Sequence, residues 1–147
     1  MNFSVTKNGI PLSEDLYDWN EKTRTFSTSE NDLVLDFSGS NNVTFKTSSK
    51  CTFTTGSNCT FTTGWGCTFK TGDKCTFTTD TNCTFKTSSD CTFNTGDNCT
   101  FKTSDDCTFN IHGENGKFDV GKSCIGILRP DNKNPTIIIL KEGRNEL

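Results

Sequence analysis

The chain is poor in the aliphatic residues that build an ordinary two-layer core: only 30% of its 147 residues are hydrophobic, Met occurs once, and the apolar supply is dominated by thirteen Phe and nine Cys. That argues against a large irregular core and for an internal repeat. No run of eighteen apolar residues occurs, so no membrane-spanning helix is expected. Met1 to Leu12 has neither the positive n-region nor the apolar h-region of an export signal, so a soluble cytoplasmic protein is expected. Net charge is also small. A net charge of −3 and a pI near 5.1 offer no basic field for nucleic acid or an anionic membrane, and neither partner is expected. His112 is the one histidine, without a Ser or Cys partner that spacing places beside it, and no carboxylate pair has catalytic logic. No enzyme activity and no cofactor are expected.

What is present is a repeat of eight. Cys recurs at 51, 59, 67, 75, 83, 91, 99 and 107 without insertion. In the same frame Val43 and Leu35 occupy the Cys slot, and the third position is Phe at Phe37, Phe45, Phe53, Phe61, Phe69, Phe77, Phe85, Phe93, Phe101 and Phe109. Each unit reads apolar, Thr, Phe, polar, Thr, then three turn residues such as Gly56-Ser57-Asn58. Alternation puts Cys and Phe on one face of a short strand, with Thr and the variable fourth residue on the other. Gly, Asn and Asp at the corners supply tight or left-handed backbone.

One octad is too short to close a coil around Phe. At the fourth position, alternate units form two sets: Ser38, Thr54, Lys70, Lys86 and Lys102 against Lys46, Thr62, Thr78, Asn94 and Asn110. Grouping by three scrambles them. The expected fold is therefore all-β: a flattened β-solenoid, or parallel β-helix, with two strand-turn units per sixteen-residue coil, two facing parallel sheets and a cap at each end.

The Cys positions of the repeat (Cys51, Cys59, Cys67, Cys75, Cys83, Cys91, Cys99 and Cys107) accept Val43 and Leu35 as equivalents, so the slot asks for a small apolar group and Cys serves as a hydrophobe. A strict ladder of thiols does not converge tetrahedrally, so no metal is expected. Ladder neighbours fall within disulfide Cα range but with parallel Cβ vectors, and free thiols imply a reducing compartment. Thr52/Thr54, Thr60/Thr62 and Thr76/Thr78 have the Thr-x-Thr form of ice-binding solenoids, but Lys70, Lys86, Lys102, Asn94 and Asn110 interrupt it. Those three lysines, and Trp65 at a corner, are the candidate contact residues. Seven acids against six lysines between Leu35 and Asn110 leave the tract too neutral for a nucleic-acid mimic.

Three segments are expected: an N-terminal cap over 1–34, the solenoid over 35–110, and a C-terminal hairpin over 111–147 that caps or assembles. The hairpin joins Ile125–Leu128 to Thr136–Leu140 through Pro130–Pro135. Ile137, Ile138, Ile139 and Leu140 are apolar on both faces, one face suited to the last coil and the other to a second subunit.

The tract CTFTTGSNCTFTTGWGCTFKTGDK and the leader NGIPLSEDLYDWNEKTRTFSTSENDLVLDFSGSNNVTFKT resemble octapeptide-repeat proteins of bacteriophages and similar mobile genomes, over roughly residues 8 to 110. The segment CIGILRPDNKNPTIIILKEGRNEL departs from that pattern. The resemblance implies a viral setting, in host cytoplasm or virion, and carries no site residues over. The expected role is a non-enzymatic structural or protein-interaction module, a spacer or binding surface, with a protein partner or self-association and no small-molecule ligand. The alternative is an ice-binding or other ligand-binding solenoid that uses exposed Thr rows.

The sixteen-residue period makes a direct prediction. Deleting Cys67 to Asn82 removes one coil and leaves a folded, shorter rod, whereas deleting eight residues swaps the two faces beneath a cap. Denaturation should show the eight-residue deletion clearly less stable; equal stability would refute the period.

Overall fold

The computed structural model describes residues 3–129 and 134–146. The N-terminal strands are β1 (Ser4–Lys7), β2 (Ile10–Pro11), β3 (Asp18–Asn20) and β4 (Thr25–Ser27). The repeat supplies β5 (Leu33–Phe37), β6 (Thr44–Lys46), β7 (Thr52–Thr55), β8 (Thr60–Thr62), β9 (Thr68–Lys70), β10 (Thr76–Thr78), β11 (Thr84–Lys86), β12 (Thr92–Thr95), β13 (Thr100–Lys102) and β14 (Thr108–Ile111). The C-terminal strands are β15 (Lys117–Val120), β16 (Ile125–Leu128), β17 (Thr136–Ile139) and β18 (Gly143–Glu146). Consecutive strands of the coil alternate between two sheets, so the chain winds as a β-solenoid with sixteen-residue coils. Sheet A runs β18-β15-β13-β11-β9-β7-β5-β1-β2, and sheet B runs β17-β16-β14-β12-β10-β8-β6-β4-β3.

The coil closes because its eighth position is left-handed. Asn58, Lys74, Asn82, Asp90, Asn98 and Asp106 all have φ between 55° and 58°, and Gly66 takes the same place at +68°. Asn, Asp and Gly tolerate this region best, so the corner chemistry follows from backbone sterics. Hydrogen bonding continues around the corners, where Asn58 donates its N–H to the Asp73 carbonyl at 2.9 Å and Thr63 to Thr78 at 3.0 Å. Side chains at the seventh position reach the neighbouring coil: Asn41 accepts from the Ser57 N–H at 2.7 Å, and Asp73 from the Ser89 N–H at 3.2 Å.

Inside, the Phe rings form a double ladder. Rings one coil apart in a sheet stack with centroids 4.9 Å apart and planes 4° apart at Phe61–Phe77, and rings across the core meet edge-on at 5.1 Å and 71° at Phe69–Phe77. Such pairs contribute about 0.5–1.5 kcal/mol each beyond burial itself. Every Phe and Cys of the repeat is fully buried or nearly so.

The register differs from the sequence reading at the first unit. Leu35 pairs with Phe53 and Phe37 with Thr55, so Leu33 takes the Cys slot, Leu35 the Phe slot, and Phe37 the slot of the fifth-position Thr. Two extra residues in the corner before Val43 cause the shift, where Ser40 N–H turns back onto the Phe37 carbonyl at 2.8 Å. A slip of two preserves the inside and outside of a strand, so alternation could not reveal it. Phe37 is still core, stacked at 4.4 Å on Phe3 and edge-on at 4.9 Å to Phe45. Parallel pairing also runs beyond 35–110: β4 pairs β6 at one end, and β15 and β16 pair β13 and β14 at the other. One extra residue at His112–Gly116 offsets this last coil, so Phe118 follows Phe101 by seventeen and Cys124 enters the Cys slot.

The ends close differently. Antiparallel β1 and the β3–β4 hairpin bring Phe3, Tyr17 and Trp19 against Phe26 and Phe37, which terminates the ladder with an aromatic cluster. At the other end β17 lies antiparallel on β16 and β18 antiparallel on β15, so both sheets are capped. The expected pairing of 125–128 with 136–139 is present; residues 130–133 of its connection lie outside the described residues. The strand β18 has no signal in the sequence, because Gly-Arg-Asn-Glu carries no apolar alternation.

The double ladder predicts a contrast in mid-rod. Phe77→Ala should cost about 3–5 kcal/mol through the cavity it leaves, and the outward Thr78→Ala under about 1 kcal/mol. Denaturant melts of the two variants would measure this, and equal losses would contradict the assignment of inside and outside.

Candidate interaction surfaces

Each outer face carries two columns of side chains running along the rod. On sheet A the second-position column contains Thr52, Thr68, Thr84 and Thr100, and the fourth-position column runs Asp36, Thr54, Lys70, Lys86, Lys102 and Asp119. The candidate contact residues Lys70, Lys86 and Lys102 are thus consecutive rungs, all exposed, at the strand spacing of about 4.8 Å. Like charges directly opposite oppose sheet stability. Lys102 Nζ reaches Asp119 at 3.9 Å at one end of the row.

Sheet B presents different chemistry. Its second-position column is Thr25, Thr44, Thr60, Thr76, Thr92 and Thr108, ending on Ile125. Beside it run Lys46, Thr62, Thr78, Asn94 and Asn110, with the Asn110 amide donating to Asn94 Oδ1 at 3.1 Å and Arg129 to Asn110 Oδ1 at 2.8 Å. The fourth-position interruptions therefore separate by face: the run of three Lys lies on sheet A, and the Asn lie on sheet B with Lys46 near the N-terminal end.

Trp65 stands apart from the lysine row. It is 46% exposed at a corner, in the seventh position where neighbouring coils carry small polar groups, and Lys50 Nζ sits 4.8 Å from its ring centroid. The aliphatic candidates split as the alternation required. Ile138 packs on the core and Leu140 is buried, whereas Ile137 and Ile139 are 73% and 82% exposed. Gly126 occupies the Phe slot of the last coil, and a side chain there would meet Ile138 Cγ1 at 2.8 Å, so Ile138 roofs the space a ring would fill.

All nine cysteines are free and buried. Each sulfur lies near two backbone carbonyls, as Cys91 does to Gly72 at 3.6 Å and Ser89 at 3.5 Å. Neighbouring cysteines in a column also meet, as where the Cys51 N–H donates to Cys67 Sγ at 3.4 Å. A lone thiolate at Cys67 or Cys75 would accept from its neighbours, which pulls those two down and pushes Cys51, Cys59, Cys83 and Cys91 above the ordinary thiol range. Burial pushes Cys124 up as well. Ionising a whole column is opposed by mutual repulsion and by burial, so the neutral ladder belongs to the fold. Among the described residues no cluster of three or more His, Cys, Asp or Glu is placed to hold a metal, and no helix is long and apolar enough to cross a membrane.

The thiol columns carry a pH dependence whose sign is fixed. Above the ordinary thiol value of 9.0 the unfolded chain releases protons that Cys51, Cys59, Cys83, Cys91 and Cys124, all raised in the folded columns, retain. Melting temperature should therefore fall as pH rises above about 9. Nine thiols should titrate in denaturant and react slowly in the native protein; stoichiometric zinc in purified protein would contradict a purely apolar role.

No protein-family model, curated protein sequence or solved structure matches the chain.

Proposed function

We propose that the chain is a non-enzymatic interaction module, a short rigid rod that presents flat faces to an extended partner, in keeping with the resemblance of its repeat to bacteriophage octapeptide proteins. The observation that carries this reading is the row Lys70, Lys86 and Lys102: three like charges on consecutive rungs, which the sheet accepts against its own stability and which no core requirement explains. The outer chemistry is repeated along the rod rather than converged on one point, which suits recognition of an elongated surface more than turnover of a small substrate. A protein partner with an acidic stripe is the natural complement.

The uninterrupted Thr column of sheet B, flanked by Thr62 and Thr78, favours a second reading: ordered water or ice against that face.

One set of variants separates the two. Replacing Lys70, Lys86 and Lys102 with Glu should abolish retention of acidic proteins from host extract on the immobilised chain, with the fold and thermal hysteresis unchanged. Thr76→Tyr, on the other face, should leave retention intact. Thermal hysteresis in the wild type that Thr76→Tyr removes would establish the second reading; retention indifferent to the lysines would overturn the first.

A further inference from the structure

Among the described residues the two sheets end on four open edges, and three carry the features that discourage edge pairing. β2 is two residues long and contains Pro11, β3 contains Asp18, and β18 carries Arg144 and Glu146. β17 is the exception. Its sequence Thr-Ile-Ile-Ile is uncharged, and Ile137 and Ile139 stand exposed on its outer face beside Ile125.

We propose that β17 and β18 together form a docking edge for a second copy of this chain, joined head to head about a twofold axis that passes through Ile138 and Asn145. The backbone is already set for it. Leu140 N–H bonds the Cys124 carbonyl, so the even-numbered residues of β17 face β16, and Ile137 and Ile139 turn their N–H and C=O groups outward. In β15, Lys117 N–H bonds Cys99 and the Asp119 carbonyl accepts from Thr103, so Phe118 and Val120 serve β18. Their partners are Asn145 and Gly143, which leaves Arg144 and Glu146 turned outward.

Antiparallel self-pairing centred on Ile138 sets Ile137 opposite Ile139 of the second copy as a hydrogen-bonded pair, with Ile side chains adjacent on the outer face. Pairing centred on Asn145 sets Arg144 opposite Glu146 of the second copy, a charge-complementary match. One axis serves both sheets. Ile138 lies on Gly126 and Asn145 on Phe118, and these two positions are the Phe slots that face one another across the core in the coil before, where Phe101 and Phe109 meet at 5.0 Å. A self-complementary edge of this kind defines an isologous dimer. Head-to-tail stacking would instead press β17 against Asp18 of β3, and β18 against the proline-bearing β2. The end is remote from the middle of the lysine row and of the Thr column, so monomeric behaviour would leave their role untouched.

Sedimentation velocity with the full chain tests the geometry. The wild type should sediment as a dimer, and Ile137→Lys with Ile139→Lys as a monomer with unchanged circular dichroism, because both side chains already face solvent. Arg144→Glu alone and Glu146→Arg alone should each weaken the dimer at least tenfold, since each sets like charges together at both symmetric positions. Mixing those two variants restores both Arg–Glu pairs and should return the dimer to near wild-type strength. A monomeric wild type, growth into longer species with concentration, single variants that leave dimerisation unchanged, or a mixture that fails to recover would each overturn the proposal.

Discussion

A Phe ring stacked on its counterpart one coil away, and wedged edge-on against a ring from the opposite sheet, is the packing unit on which the rest of the rod depends. The stacked centroids at Phe69–Phe85 and Phe77–Phe93 are 4.9 Å apart, the spacing hydrogen bonding imposes on neighbouring strands. Ring stacking and backbone pairing therefore ask for the same translation, and neither strains the other. A core built this way tolerates little variety, because each rung must match the rungs above and below. Cys fills the narrower space beside the rings, and its buried sulfur finds carbonyls of its own coil and the adjoining one.

Equal rungs require equal coils, so irregularity is displaced to corners and ends. Two extra residues before Val43 and one between His112 and Gly116 are absorbed in corners while the strands they separate stay paired in parallel. At the last rung Gly126 replaces the ring and Ile138 descends from β17 to cover the gap. At the first, Phe3, Tyr17 and Trp19 extend the aromatic stack into a cap. Both closures use bulk from an antiparallel strand to replace the coil that is no longer there.

With the interior so constrained and the second position held as Thr through the repeat, the outward fourth position is where strand chemistry varies. The arrangement concentrates the lysine run on sheet A and hydroxyl and amide groups on sheet B, and a two-strand coil makes that separation automatic for any residue that recurs every sixteen positions. The proposed lysine-face contact and the proposed end-to-end pairing therefore occupy different surfaces, one along the rod and one across its C-terminal end, which adjoin where Lys102 meets Asp119.

The octad, the in-and-out alternation, the left-handed corners and the two-unit coil were all legible in the residues, because local backbone sterics and strand periodicity set them. The opposition of Ile137 and Ile139 to Ile138 and Leu140 was legible for the same reason, whereas which pair faces outward was decided by the packing of Ile138 over Gly126. What the residues alone did not disclose was register wherever the corner length changes. Leu35 and Phe37 lie two positions further along the unit than the octad frame places them, and a slip of two leaves every side chain on its own face. Phe118 and Cys124 went unassigned because one inserted residue broke the spacing while the ladder resumed beyond it. The polar strand β18 had no local signature, and only closure of sheet A against β15 gives Arg144 and Glu146 a position. Sequence determined the repeating unit, since that depends on neighbours along the chain; tertiary structure decided how many units stack, where the stack slips and what seals it, since those depend on hydrogen bonds and rings contributed from other coils.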